Sequence, residues 1–381
     1  MKYRPLGNTG MQASVIGLGM EYLDGKPYEV VEAVIHEALK QGINIADCFM
    51  PGKTVRQHIG RALKGQRDKL IIQGMIGSVD LREQYDISRD LDTCKRYFED
   101  LLTHLQTDYI DLGMLFFMDS QQTLDEVLAN GVYDYVLRLK EQGVIRAIGA
   151  SSHNPVIAKE LVDRGMVQSL LFSINPAFDM TPDGAASLDM LADLKGQQLK
   201  GVDPKRGALY LACEQKGVGI TVMKTLGAGK LLSAEHSPFK RALSVGQCIH
   251  YALSRPAVAS VLLGCATPEQ VREACGYLSL SEQEKDYSDI IEGYTGAMQG
   301  ACVYCSHCQP CPVGIDIAAL HRYLDIAKLD LDQVPGSIRQ HYLSLEAKGG
   351  DCIQCGSCEE RCPFQVQVID NMATAQEVFG A

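Results

Sequence analysis

The sequence predicts an α/β protein in which a (β/α)8 TIM barrel spans residues 1–280 and a small, mostly helical, cysteine-rich domain spans residues 281–381. Two observations support this prediction. Strand-like apolar runs alternate eight times with amphipathic helical stretches, which is the pattern of a closed parallel barrel. Eight of the fourteen cysteines lie after residue 300, so the last segment differs in composition from the rest.

The predicted strands are near-continuous apolar runs, as expected for strands that are buried on both faces of a parallel sheet. The stretches between them carry apolar residues at three- and four-residue spacing and often end at glycine, as YEVVEAVIHEALKQG does. In such barrels the functional side chains gather on the loops after the strand C-termini, so a site is expected there. The runs are SVIGLG, NIADC, KLIIQG, IDLGMLFF, IRAIGASS, SLLFSIN, GITVMKT and VASVLLG.

Two segments interrupt this alternation. Residues 179–204 form an insert between the sixth strand and its helix, which either covers the barrel mouth or extends into solvent. Residues 279–300 predict a capped linker helix that leads to the cysteine-rich domain. Because this linker is structured, we expect a docked domain rather than a tethered one.

The composition excludes several classes of protein. A chain of 381 residues with 46% hydrophobic side chains can bury a large core. Its net charge of -11 argues against a nucleic-acid partner, which would favour basic stripes. The N-terminus lacks the apolar run of a signal peptide, and no window approaches the ~20 apolar residues of a membrane span. We therefore expect no membrane association and a cytoplasmic location.

The late cysteines form two sets, and a proline follows the last cysteine of each set. Their spacing resembles the bacterial ferredoxin run, in which three cysteines hold one [4Fe-4S] cluster and the fourth ligates the other cluster. Thiolates are soft ligands that match iron and sulfide, so two [4Fe-4S] clusters are expected. The first set has two residues rather than three before its last cysteine, which leaves the cross-ligation open. The sets are Cys302, Cys305, Cys308 and Cys311, and Cys352, Cys355, Cys358 and Cys362.

Zinc is the alternative interpretation, because paired Cys-x2-Cys motifs also describe tetrahedral zinc sites. Zinc would have no use for a third cysteine at the same short spacing, so iron is preferred. His307 is expected to be a hydrogen-bonding neighbour rather than a ligand. Cys48 lies at a predicted strand end. The other five scattered cysteines are expected to pack in the core, namely Cys94, Cys213, Cys248, Cys265 and Cys275.

The chain resembles an aldo-keto reductase of the bacterial type that carries a C-terminal ferredoxin-like module. The resemblance covers nearly the whole length. It rests on the order of six features, namely YRPLGNTGMQASVIGLGM, IGRALKGQRDKLII, LQTDYIDL, VIRAIGASSH, PEQVREA and the cysteine module. It implies hydride transfer between NADPH and a carbonyl, with an Asp, Tyr, Lys and His set at the ends of strands two, three and four.

One member of that catalytic set is present in this chain. Asp47 falls on the family Asp, but Met50 lies near the position of the proton-donating Tyr. Met75 stands where the Lys belongs and Phe116 where the His belongs. An ordinary phenol has a pKa of ~10 and needs tuning to act as an acid near neutral pH, so the loss of both Tyr and Lys removes the family mechanism.

The expected nicotinamide contacts are only partly retained. Ser151 matches the residue that would hold the nicotinamide amide, and VMKTLGAGKLL (222–232) resembles the loop that wraps the pyrophosphate. Ala266 and Ala274 stand where the family usually has a Ser for the 2′-phosphate and an Asn for adenine. The expected cofactor-binding residues are Ser151, Ser152, Asn175, Lys224 and Gly227.

The candidate catalytic residues lie after strands two, five and seven, each with a structural alternative. Asp47 is a catalytic candidate, but it could instead cap a turn or pair with Lys53. His153 is a candidate proton donor, but it could instead cap the next helix. Burial lowers the pKa of a lysine, so Lys224 at a strand end is a candidate base or anion anchor. The carboxylate of Asp47 argues against Cys48 as a nucleophile.

Three functions are consistent with these residues. The first is an oxidoreductase in which electrons pass through the clusters to or from a small organic substrate, or an extra cofactor, in the rebuilt barrel mouth. Met50, Met75, Phe116 and Phe117 would favour an aromatic or apolar ligand there. The second is an NAD(P)H-dependent carbonyl reductase in which Lys53 or His153 replaces the lost acid and the clusters are structural. The third is a non-catalytic electron-transfer subunit.

The clusters also bear on cofactors, partners and setting. They move single electrons whereas nicotinamide delivers a hydride, so NADP(H) and a flavin both stay open as further cofactors. A ferredoxin or a flavodoxin is a candidate electron partner. An anaerobic or protected setting is expected, because exposed clusters are fragile towards oxidants.

Overall fold

The computed structural model describes residues 1–80, 85–180 and 202–291, and most residues between 300 and 380. Most of the insert, residues 181–201, lies outside the described residues, so its role stays a prediction. The chain divides into two compact units. The first holds residues 1–174, 218–225 and 257–278, and the second holds residues 175–217, 226–256 and 279–381. The boundary predicted near residue 280 stays a prediction.

The first unit contains a closed barrel of eight parallel strands. The strands of this unit are β1 (Tyr3–Pro5), β2 (Gln12–Ser14), β3 (Ile16–Gly19), β4 (Ile45–Cys48), β5 (Ile71–Ile76), β6 (Ser78–Asp80), β7 (Tyr85–Ile87), β8 (Ile110–Leu115), β9 (Ile145–Ser152), β10 (Ser169–Ser173), β11 (Gly219–Met223) and β12 (Val258–Gly264). Neighbouring strands of the barrel follow the order β10, β11, β12, β3, β4, β5, β8 and β9, and β9 pairs with β10 to close the ring.

Each of the eight predicted apolar runs overlaps one barrel strand, which confirms the predicted barrel. All six residues of Ile110–Leu115 and all five of Ser169–Ser173 are buried, as continuous apolar strands require. Two short antiparallel hairpins, β1 with β2 and β6 with β7, add to the barrel. Leu6 and Ala13, from the N-terminal hairpin, belong to the same core cluster as barrel residues such as Leu112 and Met114.

The helices alternate with the barrel strands and are mostly capped by side chains. Ser120 and Asn154, for example, accept hydrogen bonds from backbone N–H groups in the first turns of the helices that follow them. The helices are α1 (Tyr28–Lys40), α2 (Lys53–Ala62), α3 (Leu91–Leu105), α4 (Gln121–Ala129), α5 (Val132–Glu141), α6 (Pro155–Asp163), α7 (Pro176–Asp179), α8 (Pro204–Lys216), α9 (Val245–Leu253), α10 (Pro268–Gly276), α11 (Glu282–Lys285), α12 (Ser288–Ile291), α13 (Ile317–Ala327), α14 (Gly336–Leu343), α15 (Ser357–Arg361) and α16 (Val368–Phe379).

The predicted linker helix is divided in the structure. Ser281 starts α11 with a capping box, but α11 ends at Lys285 and a second short helix, α12, spans Ser288–Ile291. The break falls at Asp286 and Tyr287, and the Tyr287 side chain is fully buried. Residues 292–299 lie outside the described residues. None of the described helices has the length and hydrophobicity needed to cross a membrane.

Candidate functional site

An aromatic wall lies at the C-terminal ends of the second, fourth and fifth barrel strands. The rings of Phe49 and Phe116 are stacked with centroids 6.0 Å apart, and Phe117 follows at 5.9 Å from Phe116. The ring of His153 lies 5.1 Å from that of Phe117. Phe116 is buried, whereas Phe49 and Phe117 are half-buried, so the wall lies between the core and the barrel mouth. Such a surface suits an apolar or aromatic ligand.

Asp47 is a buried carboxyl group at the end of β4. It is 8% exposed, and its buried Oδ1 atom has no hydrogen-bond partner among the described residues. Burial raises the pKa of Asp47 to about 8, and the carboxylate of Glu21 contributes to that rise. The Asp47 carboxyl is therefore mainly protonated at pH 7 and can donate a hydrogen bond.

Glu21 acts electrostatically on Asp47, and Lys224 in turn acts on Glu21. Glu21 begins the short helical turn that follows β3, and burial raises the pKa of its carboxyl while the positive charge of Lys224 opposes that rise. Lys224 follows β11, is half-buried and has a backbone φ of +59°. A long side chain at positive φ is an uncommon, strained conformation that often accompanies functional sites.

The raised pKa of Asp47 gives a testable pH dependence of stability. Folded Asp47 keeps a proton that the unfolded chain releases above pH ~4, so rising pH favours unfolding until about pH 8. We expect Asp47→Asn to gain stability over the wild type between pH 6 and 8, with a slope of at most about 1.4 kcal/mol per pH unit. Denaturant unfolding of the anoxic, cluster-loaded proteins measures it. Asp163→Asn, at an exposed ion pair, should leave the slope unchanged, and an equal slope in the wild type and Asp47→Asn would contradict the assignment.

His153 forms a dyad with Asp119. The His153 Nδ1 atom lies 2.7 Å from Asp119 Oδ2, and the His153 backbone N–H donates to Asp119 Oδ1 at 2.6 Å. Burial acts to raise the pKa of Asp119, but hydrogen bonds from His153 and Ser152 outweigh it and hold that pKa below its ordinary value. The ionised Asp119 fixes the imidazole ring at the barrel mouth.

The two serines after strand five hold neighbouring loops. Ser151 Oγ accepts a hydrogen bond from the backbone N–H of Phe117 at 2.8 Å. Ser152 Oγ donates to the carbonyl oxygen of Met118 at 2.7 Å, contacts Asp119 Oδ1 at 3.0 Å and accepts from Asn154 N–H. Both serines are buried and position the aromatic wall and the dyad. Their predicted role in binding a cofactor stays a prediction.

The remaining predicted residues lie in different settings. Lys53 is exposed in the first turn of α2. Asn175 and Gly227 belong to the second unit. Asn175 is fully buried and its side-chain oxygen accepts from Phe178 N–H at 2.9 Å, while Gly227 takes a φ of +56° in a turn. Burial raises the pKa of the Cys48 thiol to about 11, so this thiol is a poor nucleophile.

Two cavities in the second unit are lined by the eight late cysteines. Cys302, Cys305 and Cys308 line the first cavity together with Cys362 from the other set. The second cavity is lined by Cys352, Cys355 and Cys358 together with Cys311. Each cavity thus presents three closely spaced thiols and one thiol from the other set, a donor set that fits a [4Fe-4S] cluster. Among the residues described, no three such side chains converge as they would on a single metal ion.

Apolar residues separate and support the two cavities. Ile317 and Val368 line both cavities, so the two sites share a wall. Arg361 links the loops, since its Nη2 atom donates to the carbonyl oxygens of Cys308 at 2.7 Å and Pro310 at 2.9 Å. His307, which is expected to be a hydrogen-bonding neighbour of the cysteines, has its Nδ1 atom 2.9 Å from Ser288 Oγ.

Sequence reasoning missed Glu21, Phe49 and Asp119. All three follow barrel strands, so the rule that sites gather after strand C-termini could have found them. The pairing of Asp119 with His153 required knowledge of how the ends of β8 and β9 meet, which no local pattern contains.

Comparison with known families agrees with the fold and the cysteine-lined cavities. The aldo/keto reductase family model matches residues 15–180, and the 4Fe-4S dicluster domain model matches residues 301–367. The chain therefore combines an aldo/keto reductase family domain with a C-terminal 4Fe-4S dicluster domain. This combination confirms the family resemblance and favours iron-sulfur clusters over zinc.

Related proteins and structures match about three quarters of the chain. The uncharacterized oxidoreductase YqkF of Bacillus subtilis is 28% identical over an alignment of 305 residues that covers 74% of this chain and 94% of that protein. L-galactose dehydrogenase of Arabidopsis thaliana is 25% identical over 291 residues, or 72% and 86% of the two chains. The holo form of aldo-keto reductase AKR11C1 from Bacillus halodurans matches with a TM-score of 0.59 at 23% identity, covering 78% of this chain and 97% of that chain. This last likeness shows the fold.

Proposed function

We propose that the chain is an iron-sulfur oxidoreductase that acts on a small organic substrate bound at the mouth of the aldo/keto reductase barrel. The buried carboxyl of Asp47, two residues before Phe49 of the aromatic wall, is the observation that carries this proposal, because Met50 lies near the position of the family tyrosine and leaves Asp47 as an acid at the end of this strand. When bound, two [4Fe-4S] clusters supply or accept electrons one at a time. Reduction of one substrate molecule by two electrons then consumes two protons.

The residues of the mouth are suited to supplying those protons. Burial raises the pKa of Asp47 to about 8, and within the described part of the chain its Oδ1 atom has no hydrogen-bond partner, so Asp47 can donate a proton to an oxygen of the substrate. His153, oriented by Asp119 through Nδ1, is the second candidate donor through Nε2. This is the arrangement of an orienting carboxylate and an acid–base imidazole.

The substrate class follows from the same surfaces. Phe49, Phe116 and Phe117 favour an aromatic or otherwise apolar body. Asp47 requires a hydrogen-bond acceptor such as a carbonyl oxygen, and Lys224 with Glu21 provides a charged edge for a polar substituent. We therefore propose aromatic or apolar carbonyl compounds, with a ferredoxin or flavodoxin as the electron partner.

A second function, NAD(P)H-dependent carbonyl reduction, is favoured by the Asp119–His153 dyad. In this case His153 would replace the missing tyrosine as proton donor, and the clusters would be structural. The exposed position of Lys53 makes it the weaker of the two substitute acids. The relatives named as oxidoreductase and dehydrogenase are consistent with either function.

An anoxic electron-transfer assay separates these functions. We expect the chemically reduced, cluster-loaded protein to recover its visible absorbance when mixed with an aromatic ketone or aldehyde, with formation of the reduced product and no nicotinamide present. Asp47→Asn should slow this reoxidation at least tenfold because the amide has no proton to transfer, whereas Lys53→Gln should have little effect. Micromolar binding of NADPH with hydride-dependent turnover would instead support carbonyl reductase activity. Absence of product under both conditions would contradict both functions and leave the electron-transfer subunit.

A further inference from the structure

The two cluster-binding loops use the same backbone turn but different side chains. Tyr304 and Gln354 each stand directly before the second cysteine of their set and have φ values of +59° and +55°. Gln354 N–H points to Cys352 Sγ at 3.4 Å, and the Tyr304 backbone makes the corresponding hydrogen bond to Cys302. The loops are therefore locally equivalent, and differences between the clusters must come from what surrounds them.

The surroundings of these equivalent positions differ in exposure and charge. Gln354 and the adjacent Cys355 are exposed. By contrast, the Tyr304 hydroxyl donates to Asp325 Oδ2 at 2.9 Å, and the Tyr304 ring centroid lies 5.2 Å from the guanidinium carbon of Arg255. This cation–π contact brings a permanent positive charge to the loop between Cys302 and Cys305.

Arg255 is held firmly in this position. Its side chain is 4% exposed, and its guanidinium carbon lies 4.3 Å from the Tyr251 ring centroid. Its Nη2 atom donates to Ser254 Oγ at 3.0 Å and to Tyr287 Oη at 3.3 Å. A buried guanidinium keeps its charge, because arginine does not lose its proton in proteins.

Carboxyl groups also lie near Arg255 and the cysteine loop. Asp179 acts electrostatically on Arg255, but its fully buried ion pair is formed with Arg206, at 2.7 Å. Asp325 acts electrostatically on Cys302. Removing the Arg255 charge therefore makes the surroundings of Cys302 more negative, and a buried charge is screened much less than a charge in water.

We propose that Arg255 raises the reduction potential of the cluster bound at Cys302, Cys305 and Cys308. Reduction adds one negative charge to a cluster, and a buried cation beside its binding loop stabilises the reduced form. The second cavity has a cation of its own, because Arg361 lines it and acts electrostatically on Cys355, whereas no contact among the described residues places Arg255 there. Arg255 is therefore a tuning residue for the cluster at Cys302, Cys305 and Cys308. The inference rests on the cluster-loaded oxidoreductase proposed above.

Anoxic redox titration of the cluster-loaded protein, followed by electron paramagnetic resonance, tests this proposal. We expect Arg255→Met to lower the equilibrium constant for reduction of one cluster about tenfold, or about 59 mV for a one-electron couple, and to leave the other cluster unchanged. Arg255→Lys keeps the positive charge and should stay within about twofold of the wild type. Arg339→Met is the matched control, because Arg339 also lies over an aromatic ring, at 5.9 Å from that of Phe379.

Each outcome bears directly on the proposal. Unchanged potentials in Arg255→Met with full iron content would overturn it, as would an equal shift of both clusters or the same shift in Arg339→Met. Should Arg255→Met lose iron, Arg255→Lys decides, since a full tenfold shift despite the retained charge would also overturn it. The titration uses neither substrate nor nicotinamide, so a failure of the proposed substrate reduction would leave this result interpretable.

Discussion

Replacing Arg206 with methionine is expected to lower the free energy of unfolding of the second unit by about 3–5 kcal/mol. Arg206 and Asp179 are both fully buried, and their Nε and Oδ1 atoms lie 2.7 Å apart. Tyr210 and Tyr251 also donate to Asp179, at 2.6 and 2.9 Å. Removal of the Arg206 guanidinium leaves the buried Asp179 carboxylate with the two tyrosine hydrogen bonds and the electrostatic attraction of Arg255, but without its ion pair, so the cost of burying the charge is no longer offset.

Urea unfolding of the cluster-loaded protein, followed by circular dichroism, measures this loss. Lys159→Ala is the matched control, because Lys159 and Asp163 form an ion pair whose side chains are 39% and 44% exposed. Such exposed pairs contribute about 0–1 kcal/mol. The double variant Asp179→Asn/Arg206→Met should recover part of the loss, since it no longer buries an unpaired charge. A loss below 1 kcal/mol in Arg206→Met would contradict this account.

The barrel could be predicted because each of its strands is marked by a short stretch of its own sequence. Each strand is a short, continuous apolar run such as IDLGML, and burial on both faces gives every such strand the same pattern. The candidate acid at Asp47 could be located for a related reason, since it ends a predicted strand. Its protonation could not be predicted, because it depends on burial and on Glu21 from another strand end.

The buried network of the second unit was not predictable from local patterns. Arg206 and Tyr210 are four residues apart and so share a face of α8, but their partners come from other elements. Asp179 ends α7, Tyr251 lies on α9, and the contacts span 27 to 72 residues of sequence. Nothing in the spacing of these residues shows that they meet. The division of the eight cysteines between the cavities was open for the same reason.

The division of the cysteines gives the other large expected effect. Cys362 lies in the second set by sequence, but it lines the cavity of Cys302, Cys305 and Cys308. We therefore expect Cys302→Ser, Cys362→Ser and the double variant to lose the same cluster, with iron falling from about 8 to about 4 atoms per chain in all three. Serine keeps the size of the side chain but replaces the soft thiolate that iron requires.

A second double variant makes this test decisive. Two substitutions at the same cluster lose no more iron than one of them, whereas substitutions at two different clusters lose the iron of both. Cys358→Ser/Cys362→Ser should lose both clusters, since Cys358 lines the other cavity with Cys311. If each set instead held its own cluster, this variant would retain about 4 iron atoms and Cys302→Ser/Cys362→Ser would lose both clusters. Cys275→Ser, at a half-buried cysteine of the barrel unit, should keep the full iron content. Anoxic iron analysis and electron paramagnetic resonance of the five variants therefore determine whether the second unit is held together by ligands shared between its two cysteine sets.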